Sequence, residues 1–202
     1  MQIPAASTVN SAVRAAFDPL VRPLGFAPEK GRSPAWYRNE DPGGEVHFQF
    51  RRHPKAVDIY QGGRFILGFQ HNRKDLPGRA LSGEANFDQL LTRSELESVL
   101  AYQRQVISSL TRPPEDWVAS YPESLRDSYL RGFDPEQAHS PGDLWFRYQT
   151  MGHVHGWLRL IGGLLPSVLD RARHLDPQVM YLGSEIDMDS NPARPIARVP
   201  HG

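Results

Sequence analysis

The segment EVHFQFR at 45–51 constrains the fold more than any other part of the chain, because its side chains alternate strictly. Val46, Phe48 and Phe50 occupy one face, and polar residues occupy the other. This period of two is typical of an antiparallel strand with one buried face. A turn-forming Asp-Pro-Gly-Gly sequence at 41–44 precedes it. The fold must therefore place further strands beside this one and an apolar layer against its buried face.

The surrounding sequence predicts an antiparallel β-meander over residues 35–70. A short aromatic strand Trp-Tyr-Arg lies at 36–38, before the alternating segment. Strand-like segments at 57–61 and 64–70 flank a Gly-Gly pair, which readily adopts the positive φ angles of a two-residue hairpin. Residues 71–86 are polar and interrupted by glycine and proline, and we expect a long loop there.

Outside the meander, the apolar period changes to that of helices. It predicts helices at 8–18, 92–110, 122–131 and 152–174, and one more strand at 143–149. Thr92 and Thr150 are suitable N-caps, and Gly162, Gly163 and Pro166 predict a break in the last helix. The predicted fold class is α+β, an antiparallel β-meander packed by an N-terminal helix and a helical C-terminal half. We expect a single domain at 1–182 and a disordered tail at 183–202.

Composition excludes several classes of protein. The 202 residues include no cysteine, which removes disulfide frameworks, thiol catalysis and cysteine-ligated metals. Basic and acidic residues number 23 each, so no global field attracts nucleic acid or an anionic membrane. The N-terminal residues lack the pattern of a secretory signal, and no apolar run is long enough to cross a bilayer. We expect a cytoplasmic protein that has no membrane partner.

Two sequences resemble metal sites without meeting their requirements. His153 and His155 would share a metal on a strand, but on the predicted helix they lie about 200° apart. Asp-Met-Asp-Ser-Asn at 187–191 resembles the start of an EF-hand loop. Pro192 and Arg198 replace the glycine and glutamate that such a loop needs. The sequence predicts no metal and no cofactor.

Catalytic motifs are also missing. The chain has no nucleophile elbow, no phosphate-binding glycine loop and no His-Glu-x-x-His helix. A site gathered from distant positions remains open, because catalytic triads are defined by geometry and not by order. The alternative function is therefore a hydrolase or nuclease, and its candidates are His47, His71 and Asp58.

Charge is segregated along the chain. Residues 51–79 contain seven basic and two acidic side chains, a balance of +5, while residues 112–136 contain three basic and six acidic ones, a balance of −3. One interpretation is a basic edge that docks an acidic protein or, less favoured, a nucleic-acid backbone. The more ordinary interpretation is a solvated edge whose cations prevent strand-to-strand aggregation. The candidate binding residues are Arg51, Arg52, Lys55 and Arg64, together with Trp145.

Several segments together resemble a family of small bacterial proteins catalogued as domain-of-unknown-function family 4304. They are the leading helix followed by Pro-Leu-Gly-Phe at 23–26, the Trp-Tyr-Arg strand, Val-His-Phe-Gln at 46–49 and Arg-Phe-Ile-Leu-Gly-Phe at 64–69. Trp-Phe-Arg-Tyr at 145–148, and the helix with Trp157 that ends in Leu-Leu-Pro, resemble its C-terminal part. The resemblance implies an α+β fold and an association with toxin–immunity or other partner-inhibition systems, and it brings no catalytic residues. The leading hypothesis is a non-catalytic protein-binding module, of the immunity or inhibitor type.

Overall fold

The computed structural model describes residues 3–40, 44–53, 58–73, 81–136 and 142–175, and the pairs 185–186 and 195–196. It confirms the α+β class, with a six-stranded antiparallel sheet and helices packed against it. The two C-terminal pairs, β7 (Glu185–Ile186) and β8 (Pro195–Ile196), form a short antiparallel ladder. The other residues of 183–202 lie outside the described ranges, so the disordered tail stays a prediction.

The strands of the sheet are β1 (Ala27–Pro28), β2 (Ala35–Glu40), β3 (Gly44–Arg52), β4 (Gly63–Arg73), β5 (Leu81–Asn86) and β6 (Phe146–Tyr148). Strands β1 to β5 lie in the order in which they follow one another in the chain. Strand β6 pairs with the first residues of β4, next to the residues of β4 that pair with β5. All these pairs are antiparallel.

The helices are α1 (Ala6–Val21), α2 (Arg93–Ser108), α3 (Glu115–Ala119), α4 (Glu123–Arg131) and α5 (Met151–Ala172). Short 3₁₀ helices lie at Arg22–Leu24 and Phe87–Leu90. The long helices α1 and α5 pack on each other, and α2 packs on α5 and β6. Together they cover one face of the sheet, which we call the inner face.

The inner face carries the alternation predicted from the sequence. Val46, Phe48 and Phe50 are completely buried. The Phe48 ring stacks on Trp36 of β2, with ring centroids 4.6 Å apart. Trp36 also fastens α1 to the sheet, because its indole Nε1 donates to Asp18 Oδ1 at 2.7 Å. Each buried aromatic ring contributes about 1.5–3 kcal/mol through the apolar area that it removes from water.

Two predictions within the sheet are wrong. Residues 58–62 form a turn instead of part of a strand, because the Asp58 carboxylate accepts the backbone N–H groups of Tyr60 and Gln61 at 2.7 and 2.8 Å. The predicted loop at 71–86 contains the end of β4 and all of β5. Small and polar residues such as Gly83 give β5 little strand propensity of its own, and pairing with β4 stabilises it.

The last helix has no break. Thr150 caps α5 as predicted, and its Oγ1 accepts the His153 backbone N–H at 3.2 Å. The helix then continues through Gly162, Gly163 and Pro166 to Ala172. Pro166 removes one backbone donor, but buried residues on both sides of it keep the helix against the core.

Candidate functional site

The face of the sheet that points away from the long helices is polar, and we call it the outer face. On β3 it presents His47, Gln49 and Arg51, and on β4 it presents Gln70 at the position paired with His47. Gln49 and Arg51 are exposed. An antiparallel sheet can leave one face to solvent in this way, so the outer face is where strand residues are accessible to a partner.

Arg51 lies at the wall of a groove on this face. The groove has a volume of about 290 Å³. The Arg51 guanidinium donates from Nη2 to Asn86 Oδ1 at 3.1 Å, and this hydrogen bond holds the arginine side chain across β4. Gly68 makes this position possible, because a Cβ there would lie 2.6 Å from Arg51 Nη2. None of the ion pairs among the described residues involves Arg51, so its charge has no carboxylate partner there.

The other polar side chains of the groove are mostly carboxamides. Asn86 and Gln89 are fixed by the chain around them: the Asn86 backbone N–H donates to Gln89 Oε1 at 2.7 Å, and Asn86 Nδ2 donates to Gly142 O at 2.8 Å. A carboxamide both donates and accepts, so it can bind the N–H and C=O groups of a peptide. The polar lining consists of Gln49, Arg51, Gln70, Glu84, Asn86 and Gln89.

A second group of candidates lies at the corner where β3 ends beside β4 and β6. Arg52 is exposed and forms no ion pair among the described residues. Trp145 is half-buried, with its ring edge-to-face on His53 at a centroid distance of 5.0 Å. Its indole Nε1 donates to Asp143 Oδ1 at 2.7 Å. The structure therefore brings Arg51, Arg52 and Trp145 to one end of the sheet, and Lys55 lies outside the described residues.

Arg64 does not belong to this exposed set. It pairs across the strands with Arg147, and its guanidinium donates to Gln61 Oε1. Burial lowers the pKa of Arg64 from its ordinary value, while the Asp58 carboxylate opposes that shift. Arg147 is only 5% exposed, and burial together with Arg64 lowers its pKa to about 9. Arg64 is therefore less accessible than Arg51, because the α3–α4 pair lies over this end of the outer face, and its role as a binding residue stays a prediction.

These buried polar groups dock α3 and α4 on the sheet. Arg147 donates to Gly132 O and Gln61 donates to Tyr129 O, so both bind carbonyls at the C-terminal end of α4. The Tyr129 hydroxyl donates to the Asp58 carboxylate at 3.1 Å and accepts from Trp117 Nε1 at 3.1 Å. Cations and N–H donors are favourable at a helix C-terminus. These hydrogen bonds therefore hold α3 and α4 against the sheet.

The residues of the enzyme alternative are not brought together. His47 lies on the outer face, where its Nδ1 is 2.9 Å from Glu29 Oε1 and its Nε2 is 3.0 Å from Glu45 Oε2. His71 is buried, and its position in the register of β4 places it on the inner face. Asp58 lies beyond the opposite end of β4. The rise of about 3.3 Å per residue along a β-strand places it roughly 30 Å from His71. No general base and acid can act on one substrate atom across these positions.

The histidines of the helix are also separated. His153 accepts the Gln149 backbone N–H on Nδ1 at 3.1 Å, and its Nε2 lies 3.2 Å from Ser109 Oγ, while His155 is exposed. No group of three or more metal-ligating side chains is found in the described part of the chain. The segment at 187–191 that resembles an EF-hand loop lies outside that part. In the same ranges, no helix has both the length and the apolar character that a membrane crossing requires.

Sequence reasoning missed a second depression, between α3 and α4. It has a volume of about 660 Å³ and an apolar floor. A partial signal was available in the sequence, since Leu130 is an apolar residue on a short and mostly polar helix. Its lining consists of Arg112, Pro113, Glu115, Val118, Ala119, Arg126, Leu130, Phe133, Asp134 and Pro135.

Comparison with known proteins gives no match to a family model, a curated protein or a solved structure. The resemblance to domain-of-unknown-function family 4304 therefore stays a prediction.

Proposed function

We propose that the protein is a non-catalytic protein-binding module that holds an acidic segment of a partner protein in the Arg51 groove. The observation on which this rests is the position of Arg51. Its guanidinium is accessible, is fixed by Asn86 above Gly68, and has no carboxylate partner among the described residues. A partner carboxylate would complete a charge-assisted pair at a site that is already oriented for it.

The groove favours a protein over a nucleic acid. The exposed carboxamide of Gln49 can pair with both the donors and the acceptors of a peptide backbone. A nucleic-acid backbone carries a charge at every nucleotide and would place a phosphate beside the Glu84 carboxylate in the same groove, whereas a peptide can place a neutral residue there. The chain also has no net charge that would concentrate phosphate near its surface. Arg52 and the half-buried Trp145 lie at the same end of the sheet, where Arg52 bonds the Tyr148 hydroxyl from the opposite face of β3. Arginine and tryptophan are enriched where interfaces bind most strongly.

The test uses a fluorescent peptide of alternating glutamate and serine, with the matched glutamine peptide as its control. Binding is followed by fluorescence anisotropy. The glutamate peptide should bind at least about tenfold more tightly than the glutamine peptide, and the Arg51→Glu/Arg52→Glu variant should lose that preference. Arg159→Glu is the matched reversal, because Arg159 is exposed on α5, in the helical layer that covers the inner face.

Three results would overturn the proposal. The first is equal binding of the two peptides, and the second is an equal effect of the two reversals. The third is tighter binding of a single-stranded DNA oligonucleotide with a steep dependence on salt, which would assign the surface to nucleic acid.

An immunity or inhibitor protein is the kind of module that this proposal describes, since such a protein acts by occupying a partner's surface. The sequence resemblance supports this role. The gene neighbourhood tests it, because an adjacent toxin gene would supply the partner, and the purified toxin should then compete with the glutamate peptide.

A further inference from the structure

The depression between α3 and α4, which we call the α3–α4 cleft, is independent of the Arg51 groove. Its volume of about 660 Å³ is in the range of sites for small molecules, roughly 300–1,000 Å³. Val118, Phe133 and Pro135 contribute to an apolar floor. Leu130 stands at its edge with 45% of its surface exposed. Occupation by an apolar body would remove this surface from water.

The cleft also holds a fixed positive charge. Arg126 donates from Nε to Tyr121 O at 3.0 Å and from Nη2 to Ala119 O at 2.9 Å. These carbonyls hold the guanidinium in place without neutralising it. Neither Arg126 nor the exposed Arg112 takes part in any ion pair among the described residues. An anion placed between them would meet two cations.

Two carboxylates also line the cleft. Glu115 lies in the first turn of α3, where the helix dipole favours a negative charge. Asp134 accepts the backbone N–H of Glu136 at 3.0 Å. The formal charges of the lining therefore balance, and an anion is favoured only close to Arg112 and Arg126, whose guanidinium groups form no ion pair among the described residues.

We propose that the α3–α4 cleft binds a small molecule that has an apolar body and a single carboxylate. The body packs on the floor beside Leu130, and the carboxylate pairs with Arg126 and Arg112. This assignment does not depend on the proposed protein-binding function, because none of these residues contributes to the Arg51 groove.

Octanoate is the probe, and 1-octanol is the matched probe without charge. Titration calorimetry on the full chain should show one octanoate site, with octanol about tenfold weaker. Leu130→Asp and Arg112→Gln should each weaken octanoate by about tenfold. Leu125→Asp should leave octanoate binding unchanged, because Leu125 is 51% exposed on the same helix but does not line the cleft.

Arg112→Gln keeps the test valid if Leu130→Asp disturbs α4, since Arg112 forms no side-chain hydrogen bond within the described structure. Equal binding of octanoate and octanol would overturn the carboxylate assignment. An equal loss in Leu125→Asp and Leu130→Asp would overturn the location. Absence of octanoate binding would overturn the small-molecule assignment and leave the cleft to an apolar side chain of a partner protein.

Discussion

Asp88 should make the stability of the protein depend on pH in a direction opposite to most carboxylates. It lies in the 3₁₀ helix beside the Arg51 groove, is buried, and accepts the Gly142 backbone N–H on Oδ2 at 2.7 Å. Burial raises its pKa from 3.8 to about 6, although the backbone N–H of Gly142 acts in the opposite direction. Asn86 binds the carbonyl of the same glycine, so Asp88 helps to hold the groove's wall.

The sign of the effect follows from the higher pKa in the folded state. Between these two pKa values the folded protein binds more protons at Asp88 than the unfolded chain does. The contribution of Asp88 to stability is therefore most favourable below about pH 4 and is lost as the pH rises through about 6. The full loss from Asp88 is about 3 kcal/mol, because one pKa unit corresponds to about 1.4 kcal/mol. Between about pH 4.5 and about pH 7.5 the loss amounts to about 2 kcal/mol.

Urea unfolding of the wild type and of Asp88→Asn at these two pH values isolates this contribution. The uncharged, nearly isosteric asparagine cannot ionise, while all other carboxylates titrate equally in both proteins. The free energy of unfolding of the wild type should therefore fall by about 2 kcal/mol more than that of Asp88→Asn on going to the higher pH. A parallel fall in the two proteins would refute the argument that Asp88 is buried and ionises near pH 6.

Two substitutions probe how the layers are joined. Tyr129→Phe removes the donor to Asp58 and the acceptor for Trp117, and urea unfolding should show a loss of about 2 kcal/mol; an unchanged midpoint would show that α3 and α4 dock without this hydroxyl. Gly156→Ala would place a Cβ 1.7 Å from Tyr102 Oη, and should cost about 2 kcal/mol by the same measurement. The cost should largely disappear in a Tyr102→Ala background, and an equal cost in both backgrounds would contradict the contact.

The elements that sequence predicts well are those whose burial is one-sided and local. The alternation around Phe48 requires only that one face be covered, and α1 and α5 cover it. The α5 helix begins at its predicted cap, Thr150, because a hydroxyl that accepts a backbone N–H is encoded within four residues. Such features do not depend on which distant segment provides the cover.

The elements that sequence misses depend on partners far away in the chain. Strand β5 forms because its backbone hydrogen-bonds to β4. Leu175 packs against it so closely that a Cβ added to Gly83 would lie 3.2 Å from the Leu175 side chain. The Asp58 turn replaces a strand because one carboxylate captures two backbone N–H groups. Apolar periodicity contains no information about either contact.

In the candidate site, too, sequence predicts the local features and misses the contacts between distant segments. Arg51 is exposed as predicted, since outward parity on β3 follows from the alternation. Arg64 has the same residue type and points to the same face, but it is only partly exposed, and its neighbour Arg147 is buried against the end of α4. Asn86 could not be assigned to the groove, because it joins Arg51 from 35 residues away. The position of a residue along a strand predicts the face of the sheet on which it lies, and only tertiary packing decides whether that face is exposed to solvent.

Photo-crosslinking from the Arg51 groove, in the cells that naturally make the protein, tests the proposed function most directly. A photoreactive amino acid replaces Gln49, which is exposed in the groove, and a second protein carries it at Arg159 as the control. The account predicts that Gln49 alone crosslinks to one protein, through an acidic peptide of that protein, and that Arg51→Glu abolishes the product. Crosslinks that survive Arg51→Glu, or that form equally from position 159, would contradict it.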